Sequence, residues 1–295
     1  VTPSLPAFVG SLPVLVVAPH LDDALLSAFA LATSGTSTSV LTVFDGEPER
    51  PVVTSWDLVC SLRDSAEAMA LRRAENDEAM RRSGCAHHSL GLIDQQYLDG
   101  PRPAAEADTI REAVRSWLNE VGNGIVAVPA GAGAPPPTSA VFGTPGGARR
   151  RRLRQLVGPA GQALLNARAR WMARNTLPAA HVDHLFVRDA LVPLAQEGCG
   201  VVLYEEVPYL WGAPADRSVT DLVGQHGLRA LEVTAGVDLA HKARCVGAYG
   251  TQVELLYSPH GRLDSVSGLP ETERYWLLTA LSAAGPSLDH PRRRV

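Results

Sequence analysis

Short apolar runs alternate with helical stretches along most of this chain. Val14-Leu15-Val16-Val17, Ser39 to Phe44, His88 to Leu92, Gly124 to Pro129, Val201 to Glu205 and Leu228 to Val233 read as strands, mostly buried on both faces. Between them, helices are predicted over Ala24–Ala32, Leu62–Ser83 (stopped by Gly84), roughly 105–121, Ala180 to about Gln196, and Gly236–Gly250. Residues 46–61 read as a Pro-containing loop, and the stretch with Trp276 and Leu277 as a C-terminal helix. Strands alternating with helices predict an α/β fold that is Rossmann-like: a mostly parallel open sheet with helices on both faces. No G-x-G-x-x-G follows the first strand, which argues against a dinucleotide site.

The pattern breaks once. From Gly131 to about Pro178 the chain is rich in Gly, Pro and Ala, then basic over Arg149–Arg154, then amphipathic over Leu153–Met172. Connections this long are uncommon inside compact domains and are usually binding loops, lids or surface insertions. It leaves the sheet at the edge where the first strand ends, so the expectation is a lid insertion at about 131–178 within a single domain, 1–295. Deleting 132–178 should then harm action on a bulky substrate more than on a small one.

Composition narrows the possible partners. The 295 residues carry a formal net charge of −4, which leaves no electrostatic footprint for nucleic acid. Lys242 is the single lysine among 27 basic residues, the mark of a high-GC coding sequence. Four scattered cysteines (Cys60, Cys85, Cys199, Cys245) form no C-x-x-C pair and read as reduced thiols. With no basic-then-apolar leader and no long apolar run, the expectation is a cytoplasmic protein without stable membrane insertion.

Chemistry concentrates at two places. The first strand runs into Pro19-His20-Leu21-Asp22-Asp23, and Ala180-His181-Val182-Asp183-His184 opens the later helix. Imidazole nitrogen and carboxylate oxygen are donors that a divalent metal such as zinc accepts. In open α/β sheets, ligands bind beyond the carboxyl ends of the strands, where both clusters fall. The side chains of adjacent Asp22 and Asp23 diverge, so one can hold a metal while the other handles protons. Asp22 alone is equally explained as the cap of the following helix, and a lone histidine on a helix is more often packing. Two histidines and an aspartate within four residues, beside a second cluster, favour a metal site.

These motifs resemble the PIG-L (LmbE-like) family of zinc-dependent N-acetylglucosaminyl deacetylases. The resemblance runs from Pro13 to about Gln252. It also takes in Arg72-Arg73-Ala74-Glu75, Leu90-Gly91-Leu92-Ile93-Asp94 and Tyr204-Glu205-Glu206-Val207-Pro208-Tyr209. It implies His20, Asp23 and His184 as ligands of Zn2+, with a position left open for water, and Asp22 as the general base that takes that water's proton. It further implies His181 as the stabiliser of the oxyanion, Asp183 as the residue that orients it, and Arg72 and Asp94 as sugar contacts, with Arg73 the competing choice. Leu21 and Ala24 stand where the family's commonest form has Pro and Glu, and the segment before His181 is longer than usual. The implied reaction removes the acetyl group from an N-acetylglucosamine moiety of a small-molecule glycoconjugate, first a teicoplanin-like glycopeptide intermediate of actinobacterial secondary metabolism. An aminoglycoside precursor and a mycothiol-type conjugate are the competing substrates. A non-catalytic carbohydrate-binding protein on the same fold is the competing class.

Overall fold

The computed structural model describes residues 9–35, 37–135, 178–253 and 255–281, with five positions between 161 and 171 that are helical. Most of the expected lid therefore lies outside the described residues. So does the amphipathic segment 153–172, apart from those five positions.

A seven-stranded sheet forms the centre, in the order β3-β2-β1-β4-β5-β9-β6. The strands are β1 (Val14–Ala18), β2 (Thr38–Thr42), β3 (Ala86–Ser89), β4 (Ile125–Pro129), β5 (Gly200–Tyr204), β6 (Leu228–Gly236) and β9 (Thr272–Ala280), with a separate small hairpin of β7 (Tyr257–Ser258) and β8 (Gly261–Arg262). The first five pair in parallel, with Val16 beside Val40 on one side and Ala127 on the other. β9 runs antiparallel to both of its neighbours. Sheet order reverses between β1 and β4, which is where such folds open a crevice for ligands.

Alternation along each strand fills two cores. Val14, Val16, Ala18, Val40, Ala127 and Val202 face the helices α1 (Asp23–Ser27), α2 (Phe29–Ala32), α4 (Ser65–Ser83) and α8 (Leu239–Val246). Leu15, Val17, Leu41, Val126, Val128 and Leu203 face α5 (Glu106–Val121), α6 (Val182–Leu191) and α7 (Asp216–His226). With both faces covered, β1 and β4 are buried at every position, which is why they read as unbroken apolar runs.

Helix ends follow local chemistry. Asp64 caps α4 through the amide of Glu67, and Gly84 ends it in the left-handed conformation at φ 76°. The buried stripe of α4 is Ser65, Ala68, Met69, Arg72, Asn76, Ala79 and Met80, so three polar residues ride on a face that is otherwise core.

Several expectations need correction. The C-terminal segment with Trp276 and Leu277 is strand β9, because it fills the gap between β5 and β6 and buries Tyr275, Trp276 and Leu278 there. The predicted helix 24–32 is split at Ala28, whose φ of −131° is not helical. Within the expected loop 46–61, Thr54 and Asp57 form a capping box that starts the short helix α3 (Ser55–Val59). The third strand lies at Ala86–Ser89; beyond it Leu90 and Leu92 still bond to Thr42 and Val43 beside β2.

Candidate metal and active site

At the carboxyl end of β1 the chain turns through Pro19 and His20, and the turn is locked locally. The His20 amide donates to Asp23 Oδ2 at 2.7 Å, which holds the Asp23 carboxylate beside the His20 ring. Asp22 occupies the cap position of α1 but makes no capping hydrogen bond. Its carboxylate instead lines a cavity of about 370 Å³, together with His20, Asp23, Arg72, Asp94 and His181. The capping explanation for Asp22 therefore does not account for it.

The second cluster arrives on α6. His181 is the cap just outside this helix, where its Nδ1 accepts the backbone N–H of Asp183 at 3.3 Å; His184 lies one turn inside. The crossovers bring α6 over the end of β1. Asp23 Oδ2 then stands 3.2 Å from His20 Nδ1 and 3.2 Å from His184 Nε2. One nitrogen from each of His20, His181 and His184 lies within 4.8 Å of the others. The expected ligands His20, Asp23 and His184 are thus together, with His181 at their margin and Asp22 in the same cavity.

Hydrogen bonding tests whether this group suits a cation. Both nitrogens of His184 are buried without a hydrogen-bond partner, although Asp23 is close to one of them. Buried polar atoms are almost always satisfied, so an orphaned imidazole nitrogen facing a carboxylate fits a donor set suited to share a cation. Two nitrogens and a carboxylate oxygen are the donors that zinc accepts.

The electrostatics follow from burial set against charge. Burial alone would raise the Asp23 carboxyl; the nearby charge of His184, then the contact with His20, draw it well below the usual range. Burial opposes protonation of His184, but Asp23 and then Glu206 outweigh it and raise the imidazole to about 9. Burial and the neighbouring His20 depress His181 to about 4. At neutral pH His181 is uncharged, and with Nδ1 already accepting an amide proton its own proton sits on Nε2. Burial and the adjacent Asp23 charge raise the Asp22 carboxyl.

The Asp183 carboxylate makes its hydrogen bonds to groups other than His181. It accepts from His20 Nε2 at 3.2 Å, from the Gln95 amide at 3.1 Å and from Arg102 Nη2 at 2.7 Å. Asp183 stands against the His20 ring, while His181 feels its charge and accepts its backbone amide. The two adjacent arginines face different ways. Arg72 is buried with its guanidinium 3.8 Å from both Asp22 and Asp94, and its Nε has no partner. Arg73 points away and donates to the Asp45 carbonyl.

Several residues near the site were missed in the sequence. Arg102, stacked 3.7 Å over the Phe44 ring, anchors Asp183. Glu206 is fully buried with Oε1 3.5 Å from His184 Nδ1. Tyr209 packs its ring 4.9 Å from that of His184, and Trp56 joins Gln252 in the cavity wall through a 2.9 Å hydrogen bond. Glu206 had a readable signal, since paired carboxylates follow buried strand β5 just as Asp22 and Asp23 follow β1. Arg102 had none.

Residues 15–138 match the family described as GlcNAc-PI de-N-acetylase, PIG-L, in agreement with the resemblance carried by the motifs. Among solved structures, the chain is similar to teicoplanin deacetylase Orf2 in a zinc-inhibited form, at 19% identity and a TM-score of 0.59, covering 92% of this chain and 100% of that one. A teicoplanin complex of the deacetylase from the teicoplanin pathway gives 19% identity and 0.60, covering 92% and 99%. The A40926 pseudoaglycone deacetylase Dbv21 gives 22% and 0.58 over the same shares. No curated protein matches the chain. At these identities the structures establish a shared fold.

Proposed function

From the premise that residues 15–138 carry a PIG-L domain, we propose that this protein is a metal-dependent hydrolase that removes the acetyl group from an N-acetylglucosamine moiety. One observation carries the reading: the unpartnered His184 nitrogens beside an Asp23 oxygen that His20 also approaches. His20, Asp23 and His184 would hold the cation, with Zn2+ the best fit to the donors. A bound zinc would polarise the amide carbonyl and make water acidic enough to attack near neutral pH.

The protein's own groups account for the protons. Asp22, free of capping duty and with a carboxyl raised by burial, takes the proton of the attacking water and returns it to the nitrogen as the C–N bond breaks. The water's second proton stays on the carboxyl, so acetic acid and a free amine leave, and at neutral pH that proton passes on to give acetate and an ammonium group. His181 Nε2–H donates to the carbonyl oxygen as negative charge develops there, acting as a neutral donor rather than an imidazolium. Asp183, braced by Arg102, fixes the His20 ring.

The substrate reading rests on the cavity and on the relatives. Arg72, Asp94, Gln96 and Thr54 offer a polar wall for sugar hydroxyls, and Leu26, Trp56, Val207 and Leu256 an apolar one. That amphipathic lining suits a glycoconjugate with a large apolar part. The similarity to teicoplanin and A40926 pseudoaglycone deacetylases favours a glycopeptide-antibiotic intermediate. The test is a metal assay paired with amine release against N-acylated sugars, glycopeptides, aminoglycoside precursors and mycothiol-type conjugates. About one zinc per chain and chelator-sensitive release from a glycopeptide are expected. Binding of sugars with no amine released from any of them would mean a carbohydrate-binding protein instead.

A further inference from the structure

Adjacent glutamates at the end of β5 have different work. Glu205 lies toward Arg274 and the Ala215 amide, and nothing links it to the metal site. Glu206 is turned the other way, into the turn that follows β4. Its Oε2 accepts from the amides of Ala130 (3.3 Å), Gly131 (3.1 Å) and Ala132 (3.0 Å). Oε1 accepts one amide only, that of Gly131 at 2.9 Å. A carboxylate oxygen has room for about two hydrogen bonds, so Oε1 keeps a free lone pair while Oε2 is saturated. That same Oε1 is the atom 3.5 Å from His184 Nδ1, a buried nitrogen with no hydrogen-bond partner.

We propose that Glu206 is the positioning residue of the metal site, its Oε1 taking the Nδ1 proton of His184 so that Nε2 is left as the free donor beside Asp23. The inference deepens the metal reading above and depends on it. An imidazole that binds metal through one nitrogen needs its proton kept on the other, and a carboxylate is the usual acceptor. Here the carboxylate is itself held by three backbone amides of a turn whose middle residue is a glycine. Gly131 has φ 85°, and a Cβ there would meet Arg188 Nη1 at 2.4 Å and Ser218 Oγ at 2.7 Å. Glu206 therefore ties the backbone just past β4 to a ligand on α6.

Glu206→Gln tests the assignment. Gln keeps an oxygen for the crowded amides and turns an NH2 group toward His184, which pushes the imidazole proton onto Nε2, the wrong nitrogen. Zinc affinity, measured by competition with a chromophoric chelator, should fall about 10- to 100-fold. The Glu205→Gln control should keep wild-type affinity. Melting of the metal-free variants separates a loosened fold from a mis-set ring. If Glu206→Gln does not fold, nitrogen NMR of the zinc-loaded wild-type protein decides, with protonated Nδ1 on His184 expected. Unchanged zinc affinity in folded Glu206→Gln, or a metal on Nδ1, overturns the role of Glu206 while leaving the metal site standing. A wild-type protein that binds no zinc overturns both.

Discussion

Among the described residues, the buried charges around Glu273 and those around Asp23 are treated in opposite ways. Around Glu273 every partner is supplied from within. Lys242 Nζ lies at 2.6 Å, the Phe29 and Ala30 amides at 3.1 and 2.8 Å, and the Tyr275 hydroxyl completes the shell. Around Asp23, by contrast, both His184 nitrogens lack partners, and nearby Arg72 leaves its Nε unsatisfied as well. The first cluster ties β9, α8 and the start of α2 together and faces no described cavity. The second opens on the cavity at the sheet's reversal point. Saturation marks a group whose work is to hold the fold. Unspent bonding capacity, where the other buried side-chain polar atoms among the described residues have partners, marks a group made for a ligand.

The comparison can be broken most severely at Asp22. Asp22→Asn should lower turnover by about 10²–10⁴-fold while zinc content and melting temperature stay near wild type; near-normal turnover would remove the proton role. Removing one side of the saturated cluster should do the reverse. Glu273→Ala leaves Lys242 buried without its partner and should destabilise the fold by about 3–5 kcal/mol in denaturant unfolding, with zinc stoichiometry intact where the protein is folded. Loss of metal from the folded variant would show that the clusters are not separate in function.

A smaller effect comes from pH. His184 is raised to about 9 from an ordinary 6.5, so below pH 9 an entering cation must displace its proton. His20, whose imidazole is also raised by Asp183 and Asp23, must lose its proton too, so zinc affinity should rise by more than about tenfold per pH unit between 7 and 9. In the metal-free protein this raised imidazole adds stability that is complete below pH 6.5 and lost as pH rises through about 9. His181 works in the other direction: its pKa near 4 adds stability that is present above 6.5 and lost as pH falls through about 4. Melting temperature of the chelated protein should therefore peak near neutrality; a flat profile would contradict both assignments. Smallest of all, Arg73→Ala, on the outward side of α4, should change stability by less than about 0.5 kcal/mol and leave substrate affinity alone. Arg72→Ala should raise KM.

Much of the site could be read without coordinates because its halves are compact. His20, Asp22 and Asp23 span one turn, and His181 to His184 span another, so each motif is visible in a short window. The parallel strands β1, β2, β4 and β5 were equally plain, since strands covered on both faces carry uninterrupted apolar runs. Roles that depend on a third partner were not. Asp183 looked like the orienter of its near neighbour His181, yet its carboxylate spends itself on His20, 163 residues earlier in the chain, and on Arg102.

Local pattern was enough to decide which stretches become buried strands, where α4 begins and stops, and which side chains have the chemistry to hold a cation. Those choices depend on backbone sterics, capping and side-chain periodicity within a few residues. Strand order and crossovers decided that His184 meets Asp23, that Glu206 rather than Glu205 turns toward it, and that Arg72 faces inward beside Asp94. They also decided the fate of the last described segment: Thr-Glu-Arg-Tyr-Trp-Leu-Leu-Thr-Ala suits a helix or a strand equally. It became β9 because β5 and β6 each offered it an open row of backbone donors and acceptors, a condition met only once distant parts of the chain had packed.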